Sequence, residues 1–225
     1  MKILKITAIT IILITGMAII GCDDGSTNKD ITAKNITLVC LGDSLTAGYG
    51  ATTAFEEDKS KSYPAYLQKK ANISVINAGV SGDTTAQALA RVDSDVLSED
   101  PKIVIILLGA NDFFQNIPIL TTQNNLQDII NKVDNGNRKI YLAKFYTDAM
   151  AALISILDLS GTFTQYNDMF TTLEASSNNI EIIEDIWTGV WRVHMSDFIH
   201  PNAKGYEIMA DNIYNVVQPY LQTLN

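Results

Sequence analysis

Ile103-Val104-Ile105-Ile106-Leu107-Leu108 runs straight into Gly109-Ala110-Asn111-Asp112. A strand with one wet face alternates apolar and polar residues. An uninterrupted apolar run with a β-branched majority therefore predicts a strand covered on both faces. Such sheets are parallel, because the helices that connect parallel strands also supply the two covers. The glycine ends the run, and Asn111 and Asp112 are carried into the loop beyond it.

The same pattern repeats on either side. Strands are predicted at 36–41, 73–76, 103–108, 139–143 and 180–183. Helical periodicity fills the intervals at 63–71, 84–97, 122–133, 163–176 and 202–221. In the last of these, Tyr206, Met209, Ile213, Val216, Val217 and Tyr220 recur at helical spacing. Pro201 predicts its start and Gln218-Pro219 the approach to its end. Alternating strands and helices with right-handed crossovers give an α/β chain, a three-layer α/β/α domain around a central parallel sheet of about five strands. Ligands bind such sheets beyond the carboxyl ends of the strands.

Composition sets the outer limits. The chain has 225 residues, 47% hydrophobic and 18% charged, enough to bury one domain core after a leader. Its net charge of −9 repels nucleic-acid phosphates and argues against DNA or RNA as a partner. There are two cysteines. Cys40 lies in the apolar run 36–41, where a small buried thiol is expected rather than a disulfide.

Cys22 has a different setting. Lys2 and Lys5 precede an almost wholly apolar run from Ile6 to Ile20, followed by Gly21-Cys22 and the polar Asp23-Asp24-Gly25-Ser26. This has the charged, apolar and small-residue regions of an export signal. Ile19-Ile20-Gly21-Cys22 resembles the bacterial lipoprotein box, which implies that Cys22 is lipidated and becomes the new N-terminus. The expectation is a leader over 1–22, a polar tether over 23–35 and a domain over 36–225, exported and held at the membrane of the cell envelope through Cys22. An uncleaved membrane anchor is the alternative, though the apolar run is marginal for a span of about 20 residues. Asp23 resembles an inner-membrane retention signal of some bacteria.

The loops after the strands carry the chemistry. The first strand leads into Gly42-Asp43-Ser44-Leu45, the second into Asn77-Ala78-Gly79-Val80-Ser81-Gly82-Asp83-Thr84, and the third into Asn111. Near the C-terminus stands Ser196-Asp197-Phe198-Ile199-His200-Pro201. A hydroxyl, a glycine amide, a carboxamide, a carboxylate and an imidazole are the parts of an acyl-transfer site. Serine attacks effectively only when a base takes its proton, and histidine suits that task near neutrality. A carboxylate holds the histidine tautomer and stabilises the imidazolium. Backbone N–H groups and an amide NH₂ stabilise the oxyanion. Ser44, Asp197 and His200 are the candidate catalytic residues. The N–H groups of Ser44 and Gly82 and the side chain of Asn111 are the candidate oxyanion donors.

These blocks resemble the SGNH (GDSL) hydrolase family. Gly42-Asp43-Ser44-Leu45 resembles its first block, Gly82 in Val80-Ser81-Gly82-Asp83-Thr84 its second, and Asn111 in Gly109-Ala110-Asn111-Asp112 its third. Asp197 and His200, three apart, resemble its last. The likeness runs from about residue 36 to the end and is nearest to the bacterial arylesterase, thioesterase I and lysophospholipase L1 group. It implies a flavodoxin-like domain that hydrolyses small-molecule or lipid esters without a cofactor, as a monomer. Two departures stand out. Phe198 occupies a position where that group usually has glycine, so its ring either narrows the cleft or packs inward. The apolar segment 149–157 is either a flap that grips an acyl chain or an ordinary buried helix.

Other readings fit these residues less well. A phosphate cradle at Gly42, Gly48 and Gly50 lacks the ending of a P-loop. The Gly-x-Ser-x-Gly elbow is absent, because Thr46 stands where its second glycine belongs. With two histidines and no HExxH, a histidine-rich metal site is not expected. His194 reads as a packing residue, Asp43 and Asp112 as carboxylates that brace the loops, and Trp187 and Trp191 as groove or core. The same machinery would serve an O-acetyl esterase acting on cell-wall or capsule carbohydrate. A non-catalytic binding lipoprotein is a third possibility, with no site residue lost to suggest it.

Overall fold

The computed structural model describes residues 34–146 and 160–224. Five strands, β1 (Lys34–Gly42), β2 (Ile73–Gly79), β3 (Ile103–Leu107), β4 (Lys139–Ala143) and β5 (Ile180–Ile183), form one sheet. Their order is β2-β1-β3-β4-β5 and every pairing is parallel. This is the flavodoxin-like order. The apolar run from Ile103 to Leu108 is buried throughout, and Leu38, Val39, Cys40 and Leu41 of β1 are equally inaccessible. Burial pushes the Cys40 thiol far up, so it stays protonated and inert.

The order reverses between β1 and β3. The chain leaves β1 toward one edge of the sheet, then returns past it to build β3, β4 and β5 toward the other. Right-handed crossovers then place the helix of the outward step and the helices of the return steps on opposite faces of the sheet. α2 (Tyr63–Ala71) packs on α8 (Ala203–Thr223). α3 (Thr85–Ala90) packs on α6 (Ile119–Val133), which packs on α7 (Ser160–Glu174). α6 shows why these segments cover the sheet: Leu126, Ile129, Ile130 and Val133 form one buried stripe at helical spacing. Among the described residues no helix is long and apolar enough to cross a membrane.

Several local expectations are corrected. The segment 84–97 is not one helix. It breaks at Arg91 into α3, α4 (Val92–Asp95) and a 3₁₀ turn at Leu97–Glu99. β1 begins at Lys34, inside the stretch read as tether. α8 begins at Ala203 rather than at Pro201, because Asn202 caps it by accepting from Gly205 N–H at 3.0 Å. Pro219 does not end α8, which continues to Thr223 and buries Leu221. The segment 149–157, the leader and Cys22 lie outside the described residues.

Candidate active site

The end of β1 is shaped for a tight turn. A Cβ on Gly42 would lie 2.0 Å from Thr46 Oγ1, so only glycine fits where the chain folds back on itself. Asp43 follows as the N-cap of α1 (Ser44–Ala47), its Oδ1 accepting from Leu45 N–H at 3.0 Å. Gly48 closes that single turn at φ 88°. Ser44 is thus the first residue of a short helix, and its N–H, like others of a first turn, has no intrahelical acceptor.

His200 comes to Ser44 from the far end of the chain. Ser44 Oγ–H donates to His200 Nε2 at 2.9 Å, across 156 residues of sequence. His200 Nδ1–H donates to Asp197 Oδ2 at 2.8 Å. The other oxygen, Oδ1, accepts from the backbone N–H groups of Ile199 and His200, each at 2.7 Å. Burial acts to raise the Asp197 carboxyl, but the N–H and imidazole of His200 and the N–H of Ile199 outweigh it and hold it below the usual carboxylate range. The Tyr49 ring lies 4.6 Å from the imidazole, tilted by 54°, and limits its rotation.

The loops after β2 and β3 close the site. Gly82 has φ 88°, and a Cβ there would meet nothing within 4 Å, so glycine is required by backbone conformation rather than by space. Asn111 lies in α5 (Ala110–Phe114). Its Nδ2 donates to Asp83 O at 2.9 Å and more loosely to Asp43 Oδ2 at 3.4 Å. All candidate site residues except Cys22 therefore converge at the carboxyl ends of β1, β2 and β3. Ser44, Gly82, Asn111, Asp197 and His200 line one cleft with a cavity volume of 310 Å³.

The bracing carboxylates act as expected. Asp112 accepts from Thr85 N–H at 2.9 Å and Thr85 Oγ1 at 2.5 Å, tying the β3 loop to the start of α3. His194 stands apart from the serine, its carbonyl accepting from Asn202 N–H. Trp187 is buried and Trp191 half-buried. Phe198 does not pack inward; it is 97% exposed.

One positioning residue escaped sequence reading. Arg91 donates to Asp83 Oδ2 at 2.7 Å, Ala78 O at 2.8 Å, Asp95 Oδ2 at 2.9 Å and Gly42 O at 2.9 Å. It clamps the loop carrying Ser44 to the loop carrying Gly82, and turning inward to do so interrupts the helix. The only available signal was a lone cation within Ala88-Leu89-Ala90-Arg91-Val92.

Asp43 carries a testable electrostatic signature. Burial pushes its carboxyl up to about 7, Asp112 and Asp83 push the same way, and the Leu45 N–H opposes them. An unfolded aspartate titrates near ~3.9. Between these values the folded chain holds a proton that the unfolded chain has lost, so the group's contribution to stability is complete below pH ~4 and declines as pH rises toward 7. Urea unfolding of wild type and Asp43→Asn across this range is expected to show a stability difference that drifts by about 1–4 kcal/mol against the wild type and levels off above it. Parallel curves would mean that Asp43 titrates normally.

Comparison with known proteins identifies the family. The family model of the GDSL-like Lipase/Acylhydrolase family matches residues 40–208. The chain is 34% identical over 196 residues to Esterase TesA of Pseudomonas aeruginosa, covering 82% of this chain and 89% of that protein. It is 28% identical over 191 residues to Thioesterase 1/protease 1/lysophospholipase L1 of Escherichia coli strain K12, covering 81% and 84%. The crystal structure of the lipase/acylhydrolase from Enterococcus faecalis superposes with a TM-score of 0.65 at 26% identity, covering 82% of this chain and 96% of that one. With its parallel five-stranded sheet and the family model matched over residues 40–208, this chain belongs to the GDSL-like lipase/acylhydrolase family and is an ester-hydrolysing enzyme.

Proposed function

We propose that the chain is an exported serine esterase that works through an acyl-enzyme on Ser44. The observation that carries this is the continuous hydrogen-bonded chain from Ser44 Oγ through His200 to Asp197, at 2.9 and 2.8 Å. His200 Nε2 takes the serine proton as Oγ adds to the acyl carbonyl carbon. The carbonyl oxygen, now negative, receives the N–H groups of Ser44 and Gly82, neither of which has an acceptor among the described residues. Asn111 adds a third donor by exchanging its loose 3.4 Å contact with Asp43 for the oxyanion. Each such donor is worth about 2.7–4 kcal/mol in the transition state. His200 then gives its proton to the leaving oxygen, and the same imidazole later activates the water that releases the acid. Asp197 stabilises the imidazolium through both halves of the cycle.

The test is hydrolysis of a p-nitrophenyl ester series from acetate to palmitate by the full-length chain, with mass mapping of a phosphonate inhibitor. Phosphonylation of Ser44 that abolishes turnover is the expected result. Turnover that survives complete labelling would sink the mechanism.

The chain is further proposed to be lipidated at Cys22 and to work at the surface of the bacterial cell envelope. The apolar run 6–20, its basic start and Gly21-Cys22 support this reading. The expressed chain is expected to enter the detergent phase on Triton X-114 partition and Cys22→Ser to move to the aqueous phase or stay as precursor. A Cys22→Ser chain processed and partitioned like the wild type would instead indicate an anchor independent of the cysteine.

A further inference from the structure

A second cavity of 300 Å³ adjoins the catalytic cleft. The two share Leu45, Ala110, Phe114 and Ile199, of which Leu45, Ala110 and Ile199 are the chain neighbours of Ser44, Asn111 and His200. The second cavity is walled by Phe113, Phe145, Tyr146, Phe163, Trp187 and Trp191, and no charged side chain lines it among the described residues. Four of these rings form one connected array: Phe113 lies 5.5 Å from Phe163, Phe163 4.9 Å from Tyr146, and Tyr146 5.1 Å from Phe145 in an edge-to-face contact. The Tyr146 hydroxyl donates to Asn167 Oδ1 at 2.8 Å. Phe198, almost fully exposed, is part of the same wall and extends it to the surface.

The position of His200 decides which half of an ester faces this cavity. His200 lines the cleft and not the aromatic cavity. Its proton must reach the leaving oxygen, so the alcohol half lies in the cleft. The acyl half, on the other side of the carbonyl, is directed past Leu45 and Ala110 into the aromatic cavity.

We infer that this cavity receives an acyl group bearing an arene ring, so that arylalkanoyl esters are preferred over straight-chain esters of equal carbon number. The inference rests on the serine-esterase reading. An alkyl chain gains only from the area it removes from water. A ring gains that as well as offset or edge-to-face contacts with the wall, and it has fewer rotors to freeze. A cavity of this size is also near the lower end for ligand sites, which suits a compact acyl group better than a long one.

The test compares p-nitrophenyl 3-phenylpropanoate with p-nitrophenyl nonanoate on the full-length chain. Both carry nine acyl carbons and one leaving group, and hydrolysis yields the carboxylic acid and p-nitrophenol in each case. The phenylpropanoate is expected to have the higher kcat/KM by about tenfold, the equivalent of two ring contacts. In Trp191→Leu and Phe198→Gly that ratio is expected to fall several-fold. The ratio is internal to each variant, so loss of folded protein cancels. Ser44-dependent turnover with no preference for the ring, or a preference that both variants keep, would overturn the assignment of this cavity and leave the esterase reading standing. Hydrolysis of neither ester by folded wild type would overturn both.

Discussion

Ser44→Ala is expected to lower kcat for a p-nitrophenyl ester by about 10⁴- to 10⁶-fold and to leave the fold in place. The size follows from covalent catalysis: without Oγ no acyl-enzyme forms, and only substrate binding and the oxyanion donors remain to assist water. The fold survives because the described hydrogen bond of the hydroxyl is the one to His200. His200 remains held by Asp197 through its ring and its backbone N–H. Alanine is also an excellent helix residue for the turn that Ser44 opens. Circular dichroism and urea unfolding would show a shift within about 1 kcal/mol. Retention of more than a hundredth of the activity in a chain free of wild-type contamination would remove Ser44 from the reaction.

The second large effect is at Asp197. Asp197→Asn is expected to lower kcat by about 10⁴-fold at neutral pH. The substitution is nearly isosteric, and the retained carbonyl oxygen can still accept from the N–H groups of Ile199 and His200, so the loop keeps its shape. The new NH₂ faces His200 Nδ1 and donates to it. That forces the other tautomer, with the proton on Nε2, where it cannot accept from Ser44. The imidazolium formed during attack also loses its counter-charge. Because hydrogen bonds hold the Asp197 carboxyl below its usual range, the wild-type carboxylate is ionised throughout the neutral region. Its stabilising contribution is present above the unfolded carboxylate value and is lost only as pH falls through the lowered one. A loss of tenfold or less would mean that another group, with Tyr49 the nearest ring, orients His200 well enough alone.

Of the two departures from the family pattern, the structure describes only Phe198. Phe198 was legible as an anomaly, but its direction was not. Whether a ring points into or out of a cleft depends on the turn that carries it, and the Asp197 carboxylate shapes that turn by accepting two successive N–H groups. The aromatic cavity is a property of no single segment. Its walls come from α5, the residues just after β4, α7 and the loop after β5, so no spacing rule reports it. The broken helix at Arg91 has a similar cause. Local propensity favours a continuous helix over 84–97, while hydrogen bonds to carbonyls of β1 and β2 pull Arg91 out of it.

The sequence by itself determined the sheet class and its burial, because two-sided covering leaves an apolar run as a local trace in β1 and β3. It also supplied the candidate members of the site, Arg91 excepted. Their backbone requirements are local too: glycine at Gly42 and Gly82, a capping carboxylate at Asp43, and a carboxylate three residues before His200. Tertiary structure alone decided how those members meet. The reversal of strand order between β1 and β3 brings three loops to one rim, and the packing of α8 on α2 returns the last loop to the first. Ser44 and His200 touch across 156 residues, a distance over which sequence carries residue identity but no geometry. The paired Arg91 clamp, the raised Asp43 carboxyl and the aromatic cavity have the same origin. Each depends on what surrounds a side chain in space, and burial by remote segments leaves no period along the chain.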